Sequence, residues 1–134
     1  MMDVKDIKLK TPLARDLFSD VAKRVADSLQ VMKKNGDVDE NCNKSTQLRK
    51  FYDELLMWRD KVYRAKDKKE EFRKVEPFIQ MMQAKVAYSR VRGHVSGEFE
   101  TFFNHLIVQI NDVESLDNAK LFFEAVLGFR KSKN

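Results

Sequence analysis

Two prolines and four glycines in 134 residues leave few places where this chain can break or turn sharply. With no long β-branched runs beside them, that scarcity favours helix over sheet. One cysteine, Cys42, excludes an internal disulfide. A lone thiol suits a reducing cytoplasm better than an oxidising compartment. Cys42 has no Cys or His at ligand spacing, so no metal site is expected. No stretch approaches the ~20 apolar residues of a membrane span. The opening residues, MMDVKDIKLK, carry no apolar run of the secretory kind. The expectation is a cytoplasmic protein without a membrane partner. Internal repeats are absent, as are the G-x-x-x-x-G-K-[ST] and G-x-S-x-G signatures of phosphate loops and nucleophile elbows.

What the chain does have is charge and phenylalanine. Charged residues make up 35% and apolar residues 43%, with ten Phe, three Tyr and one Trp as bulky core material. That is enough for one modest core. The net charge of +5 is unevenly placed. Residues 1–43 hold 8 basic and 8 acidic groups, residues 44–97 hold 14 and 7, and residues 98–134 hold 4 and 6. The excess therefore lies in the middle third, where it can steer a polyanion.

Residues 1–11 read as an irregular or extended lead-in able to pair as a short ribbon, residues 12–131 as a single helical domain, and residues 132–134 as a frayed tail. Thr11 as N-cap and Pro12 at the first helical position predict a helix over 12–34, with Leu17, Val21, Val25, Leu29 and Met32 on its apolar face. Asn35-Gly36 ends it. Ser45 is the expected cap of a second helix carrying Leu48, Phe51, Tyr52, Leu55, Trp58, Val62 and Tyr63. Periodicity does not decide whether residues 65–74 extend this helix or bend away. Pro77 is read as opening a third helix that ends at Gly93. A fourth carries Phe99, Phe102, Phe103, Leu106, Ile107 and Ile110, and Ser115 or Asp117 caps a fifth with Phe122 and Phe123. The fold class is all-α, a compact bundle of about five helices.

Several cations break this pattern. At about 100° per residue, Arg59 falls near the centre of the second helix's apolar face. Lys85 and Arg92 share a direction with Phe78, Met81 and Tyr88 on the third. A cation in a core stripe is costly unless it is paired or reaches water, and long stems can snorkel past aromatic neighbours. The alternative is a stripe that meets successive phosphates, with Tyr88 to stack or to pack a ribose. Arg49 and Lys50 lie in the first turn of the second helix, behind Ser45-Thr46-Gln47, either as a phosphate seat or as a solvated face with an Arg49–Asp53 pair. The run Lys66–Glu71 reads as solvated surface. Of two histidines, His105 reads as structural, and His94 follows Gly93 in a loop without an identifiable acid–base partner. No catalytic residue and no cofactor is assigned.

Three segments together resemble the small helical subunit of the type III-A (Csm) CRISPR effector complex. They are Ser45-Thr46-Gln47-Leu48-Arg49-Lys50-Phe51, then Ala84-Lys85-Val86-Ala87-Tyr88-Ser89-Arg90-Val91-Arg92, then Phe122-Phe123-Glu124-Ala125-Val126. The first is similar to the family's hydroxyl-rich helix start, the second to its Lys-x-x-Tyr helix with a following Arg, the third to its closing Phe-x-Glu-Ala helix. The resemblance runs from about residue 12 to residue 130. It implies a non-catalytic, RNA-binding subunit in antiviral defence, stacked in several copies along paired guide RNA and target RNA, beside other effector-complex subunits. Arg49, Lys50, Lys85 and Arg92 are the RNA contacts it implies, with Tyr88 and Glu124 packing and positioning. Arg59 joins the RNA-binding candidates on helix geometry alone. Two other readings stay open: a helical protein–protein adaptor with no nucleic-acid role, and a weak ribonuclease centred on His94.

Overall fold

The computed structural model describes residues 2–131, and the tail 132–134 lies outside them. A π-helical turn, Leu17–Val21, runs into α1, Ala22–Ser28. Four longer helices follow: α2, Ser45–Arg64; α3, Lys68–Val91; α4, Gly97–Gln109; and α5, Val113–Lys131. The described residues contain one isolated bridge, Met32 with Val38, and no sheet. The all-helical expectation holds.

The core follows from paired phenylalanines. Neighbouring positions on a helix point about 100° apart, so burying Phe102 with Phe103 and Phe122 with Phe123 requires packing over a wide face of α4 and α5. All four are fully buried, as is Phe99. Their rings meet as edge and stack, with Phe102–Phe123 centroids 5.6 Å apart at 89° and Phe99–Phe103 5.8 Å apart at 26°. Such offsets suit the ring quadrupole. Phe51 and Tyr52 bring α2 into the same cluster through Phe99 and Phe123. α5 packs against α1, α2, α3 and α4, which makes it the central element.

Three helix boundaries differ from expectation. Thr11 and Pro12 lie in a bend, and helical structure begins only at Leu17. The Thr11 hydroxyl donates to Glu114 Oε1 (2.7 Å) on α5 instead of accepting an amide of its own turn. The first helix stops at Ser28, not residue 34, because Val31–Asp39 folds back as a small loop with Lys33 N–H on the Asp37 carbonyl (2.7 Å) and Asp39 N–H on that of Val31 (2.7 Å). Met32, expected on the apolar face, is consequently exposed. Pro77 lies inside α3 rather than at its start. The helix begins at Lys68, where the Asp67 carboxylate accepts from Glu70 N–H (3.1 Å). Pro77 sits on the exposed side, where water can replace the bond lost at the Arg73 carbonyl. The charged segment therefore breaks at residues 65–67 and then starts a new helix.

Two caps also differ. Ser45 is the first helical residue of α2, and Lys44 occupies the cap position. Asp112, not Ser115 or Asp117, caps α5 by accepting Ser115 N–H (2.7 Å). The Ser115 hydroxyl and amide hold the Asp112 carboxyl below its ordinary pKa.

The lead-in does not pair as a ribbon. Ile7 and Leu9 are buried in the core, and their backbone is received by side chains. Gln109 Nε2 donates to the Ile7 carbonyl (2.7 Å) and Gln109 Oε1 accepts from Leu9 N–H (2.9 Å). His105 Nε2 also meets the Ile7 carbonyl (2.7 Å), and Asn118 Nδ2 donates to that of Leu9 (2.9 Å). Buried backbone groups must be paired somewhere; here α4 and α5 side chains do what a neighbouring strand would do. His105 is structural, as its position suggested.

Candidate nucleic-acid interface

α2 and α3 lie side by side, and a groove of about 490 Å³ opens between them. Its α2 wall carries Gln47, Lys50, Phe51 and Glu54, at positions i, i+3, i+4 and i+7. Its α3 wall carries Met81, Ala84, Lys85, Tyr88 and Arg92, at positions i, i+3, i+4, i+7 and i+11, which places each set along one helical stripe. His94 closes one end. It is held there by the termination of α3: Gly93 adopts φ +79°, His94 N–H donates to the Ser89 carbonyl (3.0 Å) and Gly93 N–H to that of Arg90 (2.9 Å). Only glycine takes that conformation without strain, and the paired bonds form a Schellman close.

The α3 stripe is not a core stripe. Phe78, Met81 and Tyr88 are 50%, 50% and 64% exposed. The buried face is formed instead by Phe72, Val75, Ile79, Met82 and Val86. α3 carries two apolar rows at helical spacing, and periodicity alone cannot say which one faces in. Lys85 and Arg92 therefore incur no burial penalty; they stand on an open face beside exposed aromatics.

The groove contains one carboxylate, Glu54. Lys85 Nζ donates to both its oxygens (2.9 and 3.1 Å), and Trp58 Nε1 donates to Oε2 (3.1 Å). Trp58 in turn stacks on Phe78 at 5.7 Å and 15°. Arg92 Nη1 donates to the Tyr88 hydroxyl (3.2 Å), with its guanidinium 5.5 Å from the ring centroid. Among the described residues, Lys50 and Arg92 form no ion pair.

Arg49 and Arg59 do not line the groove. Arg49 is on the adjoining side of α2, 3.7 Å from Asp53 and over Tyr52. Both partners are well exposed, so this pair holds weakly. Arg59 faces α5. Its Nε donates to Asp117 Oδ1 (2.8 Å), Nη1 to Asp60 (3.2 Å), and its guanidinium lies 4.0 Å from the Tyr63 centroid. This is the paired cation of a half-buried face, tying α2 to α5. Glu124, on α5, accepts from the Tyr52 hydroxyl (3.1 Å) and Lys120 (2.7 Å), which together hold its carboxyl below the ordinary range; burial and Glu124 push Tyr52 up to about 12.

The sequence reading missed Asn43. It is buried at φ +58° and joins four parts of the chain. Its Nδ2 donates to the Leu29 carbonyl (2.9 Å) and Ser96 Oγ (2.8 Å), and its Oδ1 accepts Ser96 N–H (2.9 Å). Its backbone donates to His94 O (2.9 Å) and accepts from Arg130 Nη2 (2.8 Å). The only local signal was an Asn before a helix, a position where left-handed backbone is tolerated.

A small all-helical protein with a basic, aromatic-flanked groove is the class that this fold and site define. The family model Csm2 Type III-A matches residues 16–134, and the chain belongs to that family. It is a structural subunit family of the multi-subunit Csm effector complex in type III-A CRISPR defence. Comparison with curated proteins and with solved structures gives no match. No described helix is long and apolar enough to cross a membrane, and no described group of three His, Cys, Asp or Glu gathers at metal-binding distance.

Proposed function

We propose that this chain is a non-catalytic, RNA-binding subunit of the Csm complex, and that the α2–α3 groove meets the sugar–phosphate backbone of guide and target RNA in the cytoplasm. The observation that carries the reading is the state of the groove's cations. Lys50 and Arg92 have no carboxylate partner among the described residues. The one carboxylate nearby is already held by Lys85 and Trp58. A polyanion approaching this face meets net positive charge. Arg49, on the adjoining side of α2, can exchange its weak Asp53 pair for a phosphate. Arg59 is better explained as the α2–α5 tie. Guide and target sequences vary, so base pairing carries specificity and the subunit contributes backbone contacts and their salt sensitivity. Several copies along the RNA would add their weak contacts by multivalency.

The exposed Phe78 and Met81, one turn apart on α3, suit contact with another subunit or a further copy, and they favour the adaptor reading if RNA is not bound. One experiment separates the two. Lys85→Ala with Arg92→Ala, placed in the assembled complex, is expected to keep the helical circular dichroism and to weaken target-RNA association with a flatter salt dependence. Unchanged RNA association would leave the adaptor reading standing. His94 does not support a ribonuclease: its ring forms no hydrogen bond among the described residues, so nothing there orients it. Absence of cleavage by the pure chain checks this.

A further inference from the structure

We infer that the α2–α3 groove seats one unpaired nucleotide, its base against the ring of Tyr88 and its phosphates between Lys50 and Arg92. This rests on the RNA-binding reading and deepens it. A surface that touched only phosphates would need cations on a polar ridge. This one is concave, about 490 Å³, and its lining includes the apolar side chains of Phe51, Met81 and Ala84. Apolar lining gains nothing from a phosphate, whereas a base has two apolar faces to bury.

The parts are fixed in place. Phe51 is buried and packs on Phe99 and Phe103 at 5.8 and 5.9 Å, which makes the α2 wall continuous with the core. Tyr88 stands 64% exposed, and its hydroxyl is held by Arg92 at 3.2 Å, which sets the direction of the ring. Gln47 Nε2 donates to Ser89 Oγ (3.2 Å) inside the groove, placing an amide and a hydroxyl where a ribose can hydrogen-bond. The ligand class is therefore a nucleoside phosphate. Stacking on one ring accepts any base, which agrees with a subunit that must tolerate every guide sequence.

The test is binding of the full chain to three RNA duplexes of equal length: fully paired, with one bulged adenosine, and with the bulge abasic. The bulged duplex is expected to bind about tenfold more tightly than the abasic one. Tyr88→Ala should erase that difference and Tyr88→Phe should keep most of it. Competition by adenosine monophosphate identifies the source. If only millimolar amounts displace the bulged RNA, the seat belongs to a nucleotide within a strand; displacement at micromolar amounts assigns the same seat to a free nucleotide. Equal binding of the bulged and abasic duplexes would overturn the base seat while leaving backbone contact intact. No salt-dependent binding of any duplex would overturn both readings.

Discussion

The Asn43 junction and the α2–α3 groove are neighbours in the fold, linked through His94, yet they treat polar groups in opposite ways. At the junction every hydrogen-bonding group of Asn43 has a partner within the chain. In the groove, Lys50 and Arg92 are left without a carboxylate and Tyr88 without cover. The first arrangement stabilises the fold, because a buried polar group must be satisfied internally. The second contributes little to the fold and leaves its chemistry for a partner. Substitutions should therefore separate: stability falls at one place, binding at the other.

The sharpest break is at Asn43. Asn43→Ala removes three side-chain hydrogen bonds and puts alanine at φ +58°. It should cost roughly 3 kcal/mol, read as a drop in the urea midpoint. Next comes the clasp on the lead-in. Gln109→Ala leaves Leu9 N–H without its partner. A loss of about 1.5 kcal/mol is expected, with faster amide exchange at Leu9 than in α4. Smaller again is Asp112→Asn, at about 1 kcal/mol at neutral pH for a weakened cap. Asp112 titrates below its ordinary value in the folded chain. Its contribution is therefore complete above the ordinary carboxylate range and is lost as pH falls through the lowered value. The variant should show a shallower acid limb in a pH series of thermal melts. None of these three should change RNA affinity while the chain remains folded.

The same contrast explains what could be read from the sequence. α2 and α4 were legible because each has one dominant apolar row; in α4 the Ser96 hydroxyl also caps the start by accepting Phe99 N–H (3.1 Å). The Phe102–Phe103 and Phe122–Phe123 doublets marked the core for the same reason. α3 was harder. Its two apolar rows made Phe78, Met81 and Tyr88 look internal, and Pro77 looked like a beginning because its exposed position is a tertiary fact. The lead-in was opaque because the groups that receive it, His105, Gln109 and Asn118, lie about a hundred residues away in sequence. Of the site, the residue types and their spacing were visible. Their gathering was not: only the packing of α2 on α3 brings Lys50, Lys85 and Arg92 to one groove and turns Arg59 away toward Asp117.

Charge outside the groove supplies the control. Lys68 and Lys69 belong to the conspicuous charged run Lys66–Glu71 but line a different part of the surface, near Asp112 and Glu114. The decisive measurement is the salt dependence of RNA-duplex binding by the wild-type chain, by Lys50→Ala with Arg92→Ala, and by Lys68→Ala with Lys69→Ala. The groove pair should lower the slope of log K against log salt by about 2, one for each phosphate no longer neutralised, and the control pair should leave it unchanged. Equal slopes for the two double variants would contradict the account and leave the positive charge of this protein a diffuse property of its middle third.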